Sequence, residues 1–79
     1  MAIAYVLISC DLGFDAEIIE EMKHLSDVKE AHGIFGAYDI IVKMESSSVE
    51  NLKDVITWKI RKLSRVRSTL TLMTIEGQE

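Results

Sequence analysis

From Ala2 to Cys10 the chain is almost unbroken in apolar, β-branched and aromatic side chains. At that length the run suits a strand buried on both faces, not one alternating between core and water. Material to cover both faces is scarce, because 79 residues provide one core and a domain this small buries only about 60% of its unfolded surface. With 48% of the residues hydrophobic, a lone subunit would leave an apolar face wet, which favours an oligomer.

The rest of the chain supplies partners for that strand. Asp11-Leu12-Gly13 breaks it, and Asp15 is placed to cap a helix whose apolar positions Ile18, Ile19, Met22 and Leu25 recur at three- and four-residue spacing. Phe14 before the cap and Ile19 within the first turns would form a hydrophobic staple. Val28 to Phe35 reads as a second strand and Tyr38 to Glu45 as a third, joined by the short Gly36-Ala37 connection of a hairpin. Ser47 with Glu50 three residues on is a capping-box pattern, and Val49, Leu52, Ile56, Ile60 and Leu63 continue as one helical stripe. Val66 to Ile75 closes the order as a fourth strand, and Gly77-Gln78-Glu79 reads as a frayed tail.

The order βαββαβ makes a single α+β domain over residues 1–79. Two split βαβ halves of this kind form the ferredoxin-like sandwich, a four-stranded antiparallel sheet with both helices on one face. If Val6, Ile8, Ile40, Val42, Leu70 and Leu72 face the helices, then Tyr5, Leu7, Ile41, Thr69, Thr71 and Met73 lie on the open face. Several of these are large and apolar, so two subunits are expected to pair through their sheets.

Most chemistry is excluded early. His24, His32 and Cys10 lie far apart on different elements, so no metal site and no cofactor are expected. Cys10 ends an apolar strand with no basic neighbour in sequence to activate it, and packing is its default role. A single cysteine makes no internal disulfide, no signal segment opens the chain, and Ala2 to Ile8 is too short to span a bilayer. These point to the cytoplasm and to no membrane contact. The net charge of −4 argues against direct nucleic-acid binding. The cluster Lys59, Arg61, Lys62, Arg65 and Arg67 reads as cations gathered at a helix C-terminus for solubility and dipole complementarity. Trp58 beside it is either a flank of the core or an anchor between subunits.

Gly33-Ile34-Phe35-Gly36-Ala37-Tyr38-Asp39 is where glycines, aromatics and a carboxylate meet. As a bare hairpin connection, Gly36 supplies positive φ and Asp39 bonds nearby backbone. As a site, Gly36 leaves backbone amides open to a carboxylate while Asp39 pairs with an ammonium group, which together would recognise a free amino acid. The residues alone leave both readings open.

Taken in order and spacing, Gly36-x-Tyr38-Asp39, Arg61-Lys62-Leu63 and Val66-Arg67-Ser68-Thr69-Leu70-Thr71 resemble the ligand-sensing, or RAM, domain of the Lrp/AsnC transcription regulators. The resemblance covers nearly the whole chain. It implies a homodimer formed through the sheets, assembled further into a ring of dimers such as an octamer, with amino acid effectors bound at subunit contacts. Residue by residue it places ligand contacts at Gly36, Tyr38 and Asp39, and further ones at Thr69 and Thr71. Family regulators carry an N-terminal helix-turn-helix, whereas this sequence opens directly in the first sensor strand. A stand-alone member is the expectation, one that senses alone or co-assembles with a full-length Lrp/AsnC regulator. Two alternatives stand beside it: a dimeric α+β barrel enzyme such as a small monooxygenase or isomerase, and an assembly partner that binds no metabolite.

Overall fold

A computed structural model of the chain describes residues 1–74. The ends of the predicted fourth strand and tail, from Ile75 to Glu79, lie outside the described residues. The elements are β1 (Ala2–Cys10), α1 (Asp15–Lys23), β2 (Val28–Gly33), β3 (Ile40–Ser46), α2 (Val49–Val55) continued by a π-helical turn (Ile56–Ile60), and β4 (Val66–Met73). They form one antiparallel sheet in the order β2-β3-β1-β4. This is the expected α+β ferredoxin-like sandwich.

The unbroken apolar character of β1 follows from its central place. Ala2, Ala4, Val6, Ile8 and Cys10 are buried, and the residues between them are only half-buried. On the helix side, Val6, Ile8, Ile40, Val42 and Met44 pack with Ile18 and Met22 of α1 and Leu52, Val55, Ile56 and Ile60 of the second helix. The opposite side of the same strand carries Tyr5 and Leu7, half-buried, with no described element above them.

Strand β4 departs from the expectation. Ile8 pairs with Thr69, Val6 with Thr71 and Ala4 with Met73, while Leu7 pairs with Leu70 and Tyr5 with Leu72. Opposed residues of an antiparallel pair share a face, so Thr69, Thr71 and Met73 lie on the helix side and Leu70 and Leu72 on the open side. The cause is an irregularity at the strand's start: Cys10 pairs with Val66 but Ser9 pairs with Ser68. Arg67 is the extra residue, and one extra residue reverses the face of everything after it. Val66 still packs against the core, so the pattern Val66, Leu70, Leu72 spans both faces.

The helix starts also differ from the patterns in the sequence. Phe14, not Asp15, occupies the α1 cap position, without a side-chain cap bond. Its ring packs against the core and lies 4.4 Å from the Arg65 guanidinium. With Phe14 itself at the cap, the proposed Phe14–Ile19 staple loses its frame. At α2 the cap is Ser48, one residue past Ser47; Ser48 is extended (φ −144, ψ 150) and its hydroxyl accepts from the Asn51 N–H at 3.1 Å. The Asn51 amide donates in turn to Ser46 Oγ at 2.7 Å and Asp27 Oδ2 at 3.2 Å, tying the helix start to β3 and to the α1–β2 turn. Ser48 aligns both sets of bonds at once, which Ser47 does not. We expect Ser48→Ala to lower the unfolding free energy by about 1 kcal/mol, read from urea denaturation at fixed protein concentration.

The second helix widens in its last turn, where the Arg61 N–H donates to the Ile56 carbonyl at 2.9 Å. The turn directs Ile56 and Ile60 to the sheet and leaves Val49, predicted within the stripe, exposed. Trp58 points outward with the Lys62 amine 5.0 Å from its ring, so it does not flank the core.

Candidate functional site

The β2–β3 connection is longer than the two-residue turn expected. Gly33 pairs with Ile40, and residues 34–39 form the loop, closed by the Ile34 N–H donating to the Asp39 carbonyl at 2.9 Å. Gly36 has φ +140, in the region that side chains rarely adopt, and space around it is open. Phe35 next to it is fully exposed, while Tyr38 is half-buried.

Asp39 is held from three directions. Its N–H donates to the Ile8 carbonyl at 2.9 Å, its own carbonyl receives Ile34, and its Oδ2 accepts from the Cys10 N–H at 2.9 Å. The carboxylate thus braces the loop against the end of β1, where the register with β4 shifts. Both oxygens of a carboxylate carry further acceptor capacity, so the brace leaves room for another donor. Burial pushes the Cys10 thiol up, aided by the Asp39, Asp15 and Asp11 carboxylates. A buried thiol kept protonated is a poor nucleophile.

Thr69 and Thr71 belong to a different place. The helices lie over β1, β2 and β3, so the helix-side residues of edge strand β4 are incompletely covered. Between β4 and the second helix runs a groove of about 760 Å³. Lys53, Thr57 and Arg61 line one wall, at four-residue spacing on the helix; Arg67, Thr69 and Thr71 line the other. No Asp or Glu among the described residues lines the groove. The five residues singled out by resemblance therefore divide: Gly36, Tyr38 and Asp39 on one side of β1, Thr69 and Thr71 on the other. Ile8 of β1 pairs with Ile40 and with Thr69, which sets the two groups two strand spacings, about 10 Å, apart.

Reading the sequence missed the groove's cations. Lys59 to Arg67 is not one cluster: Lys62 covers Trp58, Arg65 packs on Phe14 and approaches Asp11 at 3.7 Å, and Arg61 and Arg67 turn into the groove. The available signal was the row Lys53, Thr57, Arg61, a polar stripe at four-residue spacing opposite the threonine row of β4.

No helix among the described residues is long and apolar enough to cross a membrane, and no three His, Cys, Asp or Glu side chains among them gather into a metal-holding group. The space between sheet and helices is filled by aliphatic side chains, with no buried polar or charged residue among the described residues.

A βαββαβ sheet with one helix-covered face, one open apolar face and a mixed polar and apolar groove beside its edge strand defines a small ferredoxin-like α+β domain. Residues 3–77 match the Lrp/AsnC ligand binding domain, and the chain belongs to that family. The crystal structure of FFRP-DM1 is similar, with 36% identity and a TM-score of 0.92 over 95% of this chain and 100% of that one. A homocitrate synthase of Saccharolobus islandicus is 31% identical over 74 residues, and the chain spans 16% of that protein's length. A transcriptional regulator of Neisseria meningitidis, solved in complex with L-methionine, shares the fold at 10% identity and a TM-score of 0.82 over 99% of this chain and 52% of that one.

Proposed function

We propose that this chain is a cytoplasmic, non-enzymatic effector-binding module that works as a sheet-paired homodimer within a ring of dimers and responds to a free amino acid in transcription control. It acts with copies of itself or by co-assembly with a full-length Lrp/AsnC regulator. The observation that carries this reading is the division of the candidate residues. Gly36, Tyr38 and Asp39 sit on a loop with a fully exposed Phe35, and Thr69 and Thr71 sit in a groove on the far side of β1. In this reading, the loop of one subunit lies against the groove of another, so that one pocket uses both sets.

In such a pocket the open backbone at Gly36 receives the α-carboxylate, Asp39 the ammonium group, and Tyr38 forms a wall. The L-methionine complex of the neisserial regulator supports an amino acid as the effector class. The match within a homocitrate synthase fits a module that can report a metabolite to more than one kind of output.

The test is to follow melting temperature and assembly mass with each of the twenty amino acids at millimolar concentration. One or a few should stabilise the folded oligomer through preferential binding, by about 2.7 kcal/mol at a hundredfold excess over Kd, seen as a raised melting temperature, and alter or stabilise the assembly size. If none changes either quantity, the sensing role is lost and only an assembly role remains.

A further inference from the structure

We infer that the effector is acidic: a small amino acid with a second carboxylate, held in the groove between β4 and the second helix. The inference rests on the effector-binding reading above and names the ligand's charge. Lys53, Arg61 and Arg67 line this groove together with the hydroxyls of Thr57, Thr69 and Thr71, and no carboxylate among the described residues lines it. The concentration is notable in a chain of net charge −4 with only nine Lys and Arg in all. Among the described residues Lys53 and Arg61 meet no Asp or Glu at ion-pair distance, while Arg67 pairs loosely with Asp11, Nε to Oδ1 3.9 Å, with both side chains partly exposed.

Three cations facing one concavity repel one another, and a dianionic guest relieves that repulsion while a cationic guest adds to it. Arginine offers a planar fork that grips a carboxylate through two parallel N–H bonds, and threonine hydroxyls satisfy the remaining lone pairs. The groove's volume, about 760 Å³, lies within the range of small-molecule sites. A free amino acid with a side-chain carboxylate meets both halves of the proposed pocket. Its side-chain acid takes the cations of the groove, and its ammonium group is left for Asp39 on the neighbouring subunit's loop.

The experiment is calorimetric titration of the intact oligomer with L-glutamate, L-aspartate, L-glutamine, L-lysine, glutarate and sulfate at matched ionic strength, repeated on Arg61→Gln. L-glutamate or L-aspartate should bind about tenfold or more tightly than L-glutamine, the difference expected when a charge-assisted bond replaces a neutral one, with L-lysine not binding. Arg61→Gln should erase the preference for acid over amide while leaving melting temperature and assembly mass as in the parent, since Arg61 is exposed and outside the core. A neutral or basic amino acid that binds as tightly as glutamate overturns the acidic inference and leaves amino acid sensing standing. Glutarate binding without any response to glutamate or aspartate keeps an anion-binding groove but overturns the acidic amino acid as its ligand. Sulfate as effective as glutamate shows a general anion effect and overturns the inference, as does an unchanged acid preference in Arg61→Gln; no binding by any probe overturns the acidic inference and leaves amino acid sensing to the screen of all twenty.

Discussion

Leu72→Asp should turn the assembled protein into folded monomers. Leu70 and Leu72 are 43% and 52% exposed in the isolated subunit, and they continue the half-buried surface of Tyr5, Leu7 and Ile41 across the open face of the sheet. An apolar surface of this kind marks an interaction site. In a two-fold dimer each substitution occurs twice, and burying an unpaired carboxylate costs at least a few kcal/mol per copy. The dimer should therefore weaken on the order of 100-fold or more. Sedimentation at micromolar concentration would show the loss of mass, and circular dichroism would show retained secondary structure.

The same substitution discriminates between the two faces. Were Leu72 directed at the helices, as its spacing from Val66 suggests, aspartate there would unfold the subunit. Because the register at Arg67 places it on the open side, the subunit should survive while the assembly does not. A Leu72→Asp protein that stays dimeric with parental melting refutes pairing through the sheets.

At Asp39 we expect two separable losses. Asp39→Ala removes the acceptor of the Cys10 N–H, and a part-buried donor left without a partner costs about 1–3 kcal/mol. It also removes the proposed partner of the ligand amine. Asp39→Asn keeps an oxygen for Cys10 but not the charge, so it should fold and assemble close to the parent while losing effector response. Melting temperature with and without effector reads both effects on the same samples. If Asp39→Asn responds to effector as the parent does, Asp39 is a brace for the loop and the ammonium partner lies elsewhere.

The elements themselves were legible because each is specified by neighbours close in sequence. The β1 run from Ala2 to Cys10, the alternation of Ile40, Val42 and Met44, and the helical recurrence of Leu52, Ile56 and Ile60 all reflect local side-chain periodicity. Helix starts were displaced by a residue because capping depends on contacts distant in sequence. Ser48 caps α2 where Asn51 can also reach Ser46 and Asp27, and Phe14 takes the α1 cap position because its ring has a place against the core.

Half of the candidate site was legible in the same sense. Gly36 and Asp39 announce a special turn, and its positive φ and bonded carboxylate are found in the structure. The expected face of Thr69 and Thr71 is the wrong one, and the cluster reading of Lys59 to Arg67 does not show that Arg61 and Arg67 line a groove with Lys53. Neither placement is readable locally, since the first depends on how β4 pairs with β1 and the second on which side chains the packed helix brings opposite that strand.

The amino-acid sequence by itself therefore determined the order of elements, the apolar character of β1 on both faces and the family of the fold, and it raised the expectation of an oligomer. These follow from apolar periodicity and from too much apolar surface for too short a chain. Only the tertiary structure decided which face of β4 joins the open surface, that Asp39 braces β1, and that three cations share one groove. One unpaired residue at Arg67 reverses every side chain that follows it, and that reversal exists only once two strands are paired.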